Sequence, residues 1–239
     1  MVLEGNGEDF LSVADLNADG YTDILLTGDG ILRILRNSNG ESLEAIAVID
    51  TILDLNIYSS FFDDEPLNFI NSIQGHSFVD FNQDNQIDIC LYIKNQENRS
   101  TIYILLNQGN FKFKLVHNLP LDFKISQITI SDLNNDGLEE LLISGYTDLG
   151  NSLFDPRFSI YSLGKNGFSH INNSIKKLLN SNYIVLDFES DGSKDILATG
   201  TDISGNNHTI FYFNNNPGKM EYDEVIYEYT CGKNKNKRN

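Results

Sequence analysis

One nine-residue acidic pattern recurs four times along the chain, and no other feature restricts its fold so tightly. The copies are Asp15-Leu-Asn17-Ala-Asp19-Gly20-Tyr21-Thr-Asp23, Asp80-Phe-Asn82-Gln-Asp84-Asn85-Gln86-Ile-Asp88, Asp132-Leu-Asn134-Asn-Asp136-Gly137-Leu138-Glu-Glu140 and Asp187-Phe-Glu189-Ser-Asp191-Gly192-Ser193-Lys-Asp195. They begin at residues 15, 80, 132 and 187. Such spacing is the mark of a repeat architecture.

The surroundings of the loop repeat as well. A short alternating segment precedes each copy: Phe10-Leu-Ser-Val-Ala, Gly75-His-Ser-Phe-Val, Gln127-Ile-Thr-Ile-Ser and Tyr183-Ile-Val-Leu. An apolar run follows each, such as Ile24-Leu-Leu-Thr-Gly and Ile196-Leu-Ala-Thr-Gly. A second apolar run then ends at Asn or Gly, as in Ile31 to Asn37, Thr101 to Asn107, Phe158 to Gly164 and Thr209 to Asn214. A last short segment often closes the unit, as in Phe111-Lys-Phe-Lys-Leu-Val. Runs of this length, rich in β-branched and aromatic residues and punctuated by Gly and Asn, read as strands. Four per repeat is the content of a propeller blade. The expected fold is all-β: a β-propeller or partial propeller of four blades, each a four-stranded antiparallel sheet, at roughly 8–60, 73–120, 125–175 and 181–228. Helical periodicity competes only between Glu41 and Leu55, where Leu43, Ile46, Ala47 and Val48 mix with acids.

The loop chemistry points to a hard cation. Acids or amides stand at positions 1, 3, 5 and 9 of every copy: Asp15, Asn17, Asp19, Asp23; Asp80, Asn82, Asp84, Asp88; Asp132, Asn134, Asp136, Glu140; Asp187, Glu189, Asp191, Asp195. Alternate residues of a tight turn aim their oxygens at one centre. The backbone carbonyl of position 7 (Tyr21, Gln86, Leu138 or Ser193) can add another. That assembles the six to eight oxygens Ca2+ prefers, whereas Mg2+ keeps its waters. Up to four Ca2+ ions are expected. Gly20, Gly137 and Gly192, with Asn85, suit the left-handed backbone at position 6. The helix–loop–helix calcium motif shares the opening Asp-x-Asn-x-Asp-Gly but needs Glu at position 12. Here that position holds Leu26, Leu91, Ile143 or Ala198. Bare acidic turns would be the simpler reading of one loop; four in register favour metal.

Composition narrows the partners. Of 239 residues, 34 are acidic and 17 basic, a net charge of −17. That excess argues against nucleic acid and against anionic membranes. No stretch is apolar for the roughly 18 residues of a spanning helix. The first ten residues are acidic and do not read as a signal peptide, so either the chain stays inside the cell or it is a mature domain or a fragment. Cys90 and Cys231 read as free thiols. Residues 229–239 read as a disordered basic tail or truncated linker. Asn98-Arg-Ser, Asn172-Asn-Ser and Asn207-His-Thr are glycosylation sequons compatible with an extracellular setting. The four histidines lie apart, and no nucleophile, zinc or phosphate-loop motif is present, so no catalytic residue is expected. His76 reads as a packing or hydrogen-bonding residue before its loop.

Asp-x-Asn-x-Asp-Gly-x-x-Asp followed by Ile-Leu-Leu-Thr-Gly resembles the FG-GAP/VCBS repeat family, the calcium-loop blades of integrin α-chains and many secreted proteins. The resemblance spans roughly residues 8–225. Around Gly75–Gly109 it is similar to the membrane-anchored T-cell immunomodulatory protein branch. It implies a propeller whose Ca2+ loops brace one face while loops on the other meet partners. The Phe-Gly and Gly-Ala-Pro signatures of integrin blades are missing, so integrin-type ligand recognition is not implied. The function expected is a non-catalytic scaffold for protein–protein interaction or adhesion, extracellular or at the cell surface. It binds an unidentified protein, does not insert into membrane, and associates with further blades if the propeller is incomplete. The loops Tyr58-Ser-Ser-Phe-Phe and Asp148 to Arg157 are candidate interface patches. The rivals are a carbohydrate-binding or carbohydrate-active secreted propeller, and a purely structural module in which Ca2+ only stabilises.

Overall fold

The computed structural model describes residues 10–28, 31–46, 73–94, 97, 99–164, 166–171, 173–216, 220–230 and 233–238. The chain divides into two compact units, residues 1–121 and 122–239. Each holds two sheets built on the same plan.

In the first unit, β1 (Phe10–Ala14), β2 (Asp23–Gly28), β3 (Ile31–Ser38) and β4 (Ser42–Ile46) form one antiparallel sheet in sequence order. The strands β5 (Ile73–Val79), β6 (Asp88–Lys94), β7 (Ser100–Asn107) and β8 (Phe113–Pro120) form the next. The acidic loops Asp15–Asp23 and Asp80–Asp88 join the first two strands of each sheet. One face of the β1–β4 sheet presents Leu16, Leu25 and Ile34, which pack with Ile89, Leu91, Tyr103 and Leu105 of the β5–β8 sheet. These residues alternate along their strands, so one apolar face is buried by period two. Two polar ties cross the seam. Thr27 Oγ1 lies 2.8 Å from His76 Nδ1, and Asn107 Nδ2 donates to the Leu16 carbonyl at 2.8 Å.

The second unit repeats this arrangement. Its first sheet is β9 (Lys124–Ser131), β10 (Glu140–Asp148), β11 (Phe154–Gly164) and β12 (Gly167–Ile171). Its second is β13 (Leu179–Leu186), β14 (Asp195–Thr201), β15 (Asn207–Asn216), β16 (Glu221–Thr230) and β17 (Lys233–Arg238). Leu133, Leu142, Phe158 and Ile160 pack against Tyr183, Ile196, Ala198, Ile210 and Tyr212. Gln127 makes a reciprocal pair with the Tyr183 backbone, donating from Nε2 and accepting at Oε1, both at 3.0 Å. Asn214 Nδ2 donates to the Leu133 carbonyl at 3.3 Å, repeating the Asn107 tie.

Among the described residues the chain is therefore all-β, with four antiparallel blades, two in each unit. One competing reading drops out and one expectation changes. Ser42–Ile46 is strand β4 rather than a helix, since pairing with β3 outweighs its weak helical pattern; residues 47–55 lie outside the described residues. The basic tail at 233–238 is not left as a linker. It pairs with β16 as a fifth strand, its amides closing what would otherwise be an open edge. Among the described residues no helix is long and apolar enough to cross a membrane. Cys90 is buried and free, as expected, and Cys231 lies outside the described residues. So do Asn98, Asn172 and Tyr58 to Phe62.

The bulge between Ser144 and Gly145 brings β9 close to β10. A Cβ at Gly145 would collide with the Lys124 carbonyl oxygen and stand 2.9 Å from the Phe123 ring. Gly145→Ala is expected to destabilise the second unit by about 2–3 kcal/mol, as overpacking against backbone does. Urea unfolding checks this; an unchanged midpoint contradicts it.

Candidate functional site

The four acidic loops share one hydrogen-bond wiring. The carboxylate at position 1 accepts the amides of positions 5 and 6. Asp15 accepts Asp19 N at 3.1 Å and Gly20 N at 2.8 Å. Asp80 does the same with Asp84 and Asn85, Asp132 with Asp136 and Gly137, and Asp187 with Asp191 and Gly192. The carboxylate at position 5 accepts the amide of position 7: Tyr21, Gln86, Leu138 and Ser193 at 2.8–2.9 Å. At position 3, the amides of Asn17, Asn82 and Asn134 each donate to the position 5 carboxylate. These bonds, led by the Asn17 amide, hold the Asp19 carboxyl below its ordinary range.

Two left-handed residues give the loop its tightness. Position 6 is Gly20, Gly137 or Gly192 at φ of 85–89°, and Asn85 at 64°. Position 4 is also left-handed: Ala18, Gln83, Asn135 and Ser190 have φ of 57–59°. The sequence pattern flagged position 6 and missed position 4, because no Gly marks it.

Position 9 plays a different part. Asp23, Asp88, Glu140 and Asp195 open the second strand of each sheet and are buried. Asp23 accepts Leu16 N at 3.0 Å and Asn37 N at 2.9 Å. Asp88 accepts Phe81 N and Asn107 N, and Asp195 accepts Phe188 N and Asn214 N. One carboxylate thus ties the loop to the third strand. Glu140 departs from this. Its Oε2 accepts Leu133 N at 2.8 Å, but its Oε1 is buried with no partner among the described residues. The extra methylene lets only one oxygen reach an amide. Burial pushes the Glu140 carboxyl up to about 7, helped by the nearby Asp136, Asp132 and Glu139 charges. Burial likewise pushes Asp88 up to about 6, against the pull of the Asn107 and Phe81 amides.

All the residues named from the sequence lie in these loops, with oxygens that are hard donors throughout. Among the described residues, no three Asp, Glu, His or Cys side chains are gathered on a common point at metal-ligand spacing. The carboxylates are instead turned to their own amides.

His76 is buried and sits 2.8 Å from Thr27, with Nε2 unpartnered; desolvation lowers it to about 4. A cluster that the sequence did not disclose sits on the β14–β15 hairpin. His208 Nε2 lies 2.8 Å from Asp202 Oδ2 and 3.2 Å from Lys176 Nζ. One nitrogen cannot serve both. The shorter contact is with Asp202, whose carboxyl is held well below its usual range, first by His208 and then by the Asn206 amide. The cluster staples the hairpin, and no spacing in the sequence signals it.

Comparison with known proteins agrees with the repeat. Residues 68–143 match the model of the FG-GAP-like repeat. An FG-GAP-like repeat is thus present in this chain, across the β5–β8 blade and the third acidic loop. No curated protein matches the chain. One solved structure, described as "Structural basis of specific recognition of non-reducing terminal N-acetylglucosamine by an Agrocybe aegerita lection", aligns over 95% of this chain and 68% of its own at 13% identity, with a TM-score of 0.42. That likeness is too distant to bear on function.

Two predictions follow from the loop. Ala18→Gly relieves a left-handed Ala and is expected to raise stability by about 0.5–1 kcal/mol in thermal unfolding; a loss of that size contradicts it. Glu140→Gln keeps the acceptor for Leu133 and removes a buried charge. A carboxyl raised in the folded state stabilises fully below its ordinary range, and that stability is lost as pH rises through about 7. In chelator, the variant's advantage over the natural chain is therefore near zero at pH 4.5 and on the order of 1–2 kcal/mol at pH 8. A difference that does not change with pH contradicts it.

Proposed function

We propose that this chain is a non-catalytic, Ca2+-binding propeller scaffold that engages another protein outside the cell or at its surface. The observation that carries the reading is the common wiring of the four loops. Each positions two or three carboxylates and, in three loops, an Asn amide within one tight turn. Each carboxylate oxygen that accepts one amide keeps a second lone pair. An all-oxygen donor set of high negative charge suits Ca2+ and discourages softer metals. Positions 1, 3 and 5 would hold the ion, with the position 7 carbonyl and the position 9 acid behind them. The bound charge would relieve the repulsion that nearby acids impose on Asp88 and Glu140.

The partner surface is favoured at the opposite end of the blades. In the second unit, the strands β10 and β14 start at an acidic loop and end at a hairpin tip. Those tips expose Leu149 (63%), Leu153 (62%) and Ile203 (77%). They are tightly built: Leu149 N donates to the Leu153 carbonyl, Leu153 N donates to the Gly150 carbonyl, and Asp202 closes the other tip. Large apolar side chains held out on ordered loops suit protein contact. This includes part of the Asp148 to Arg157 patch anticipated from the sequence.

Calorimetric titration of chelator-treated protein with Ca2+ tests the reading. Up to four equivalents are expected, one per loop. Each occupied loop should add about 2.7 kcal/mol at a hundredfold excess of free ion over Kd, raising the melting midpoint. No heat of binding, with the same midpoint in EDTA and in Ca2+, contradicts it.

A further inference from the structure

Both sheet pairs are joined by one docking pattern. On the covered sheet, loop position 2 and the middle of the second and third strands are apolar: Leu16, Leu25, Ile34 in the first unit, and Leu133, Leu142, Ile160 in the second. Leu16 and Leu133 are 1% and 0% exposed. The covering sheet brings an apolar face and an Asn at the end of its third strand. That Asn, Asn107 or Asn214, donates to the carbonyl of loop position 2.

The β13–β17 blade carries the receiving half of this pattern again. By register its positions are Phe188, Leu197 and Phe211, with Phe213 beside them. Phe188 is 54% exposed, where Leu16 and Leu133 are buried. Its ring lies 4.9 Å from Phe211 and 5.8 Å from Phe213, so three rings form one surface. Among the described residues the Phe188 carbonyl has no hydrogen-bond donor.

The β1–β4 blade carries the donating half. Leu11 and Val13 occupy the register positions of Tyr183 and Val185, yet are 62% and 56% exposed. Asn37 corresponds to Asn107 and Asn214. Its Nδ2 donates only to Thr22 within its own loop, at 3.2 Å, whereas Asn107 Nδ2 bonds both its own loop and the neighbouring sheet. One amide hydrogen of Asn37 is thus spare among the described residues. Arg33, exposed, stands where Tyr103 and Ile210 stand in the covering sheets. A guanidinium suits a surface of phenylalanine rings.

We propose that the β13–β17 blade of one molecule receives the β1–β4 blade of a second copy of this chain, head to tail. The Asn37 amide of one copy reaches the Phe188 carbonyl of the other, and Leu11, Val13 and Arg33 cover the Phe188, Phe211 and Phe213 rings. The contact is heterologous, so each molecule keeps one free end for growth or ring closure. It uses the loop's apolar position 2 but none of its acid or amide positions, and does not rest on Ca2+ binding.

Sedimentation velocity of the full chain, across a concentration series and in both Ca2+ and EDTA, tests this. Mass is expected to rise with concentration. Phe188→Asp and Leu11→Asp should each leave a monomer, and Val13→Asp is a second block of the same end. Mixing Phe188→Asp with Leu11→Asp should restore a dimer, because each retains the end the other lacks. Asn37→Ala should weaken association about tenfold. Circular dichroism confirms that each variant is folded. A chain that stays monomeric at every concentration overturns the proposal and assigns the aromatic face to a different protein or to further blades of a longer polypeptide. Variants that associate like the natural chain, or a mixture that stays monomeric, overturn it too.

Discussion

A buried carboxylate at the mouth of each second strand is the constraint on which the rest of the structure depends. Asp23, Asp88 and Asp195 each accept one amide from their own loop and one from the third strand. A buried ionised group is costly unless it is hydrogen-bonded, and two amide donors meet that need. In return the loop is held to the sheet at a single point. That fixes position 2 beneath the next sheet, where Leu16 and Leu133 enter the cores. It also leaves positions 1, 3 and 5 on the outer rim, facing solvent. Glu140 shows the alternative: one oxygen bonded, one orphaned, and a carboxyl pushed up to about 7.

The same strand that begins at this anchor ends at a hairpin tip, so the blades separate two chemistries by topology alone. Acidic oxygens collect at one end of the strands. Apolar tips at Leu149, Leu153 and Ile203 project from the other end in the second unit. The two ends of each such strand are thus free to differ in chemistry without either disturbing the other. The third surface, around Phe188, is of another sort: a sheet face of the type that elsewhere in the chain is covered by a neighbouring blade.

Much of this was legible in the sequence, because repetition amplifies a weak local signal. The five alternating residues Phe10–Ala14 specify a strand, and they form one from end to end. The second and third strands of every blade followed from apolar runs that begin at an acid and end at Asn or Gly. The basic tail misled, since Lys and Asn at 233–238 carry no apolar alternation; the strand there is specified by pairing with β16. The distinct part played by position 9 was invisible too. The pattern places Asp23 beside Asp15, Asn17 and Asp19 as an equal oxygen donor. Only the fold shows that its oxygens meet Leu16 and Asn37. The Asp202–His208 staple depends on a hairpin returning to within one side chain's reach, which no spacing rule announces.

Amide hydrogen exchange, compared in chelator and in Ca2+, measures the central claim most directly. If the position 9 acids anchor the loops, the amides of Phe188 and Asn214 are protected even in chelator. Those of Gly192 and Ser193, bonded to the outer carboxylates of Asp187 and Asp191, would then gain protection when Ca2+ is added. Exchange of Phe188 and Asn214 in chelator as fast as that of Gly192 would contradict the account.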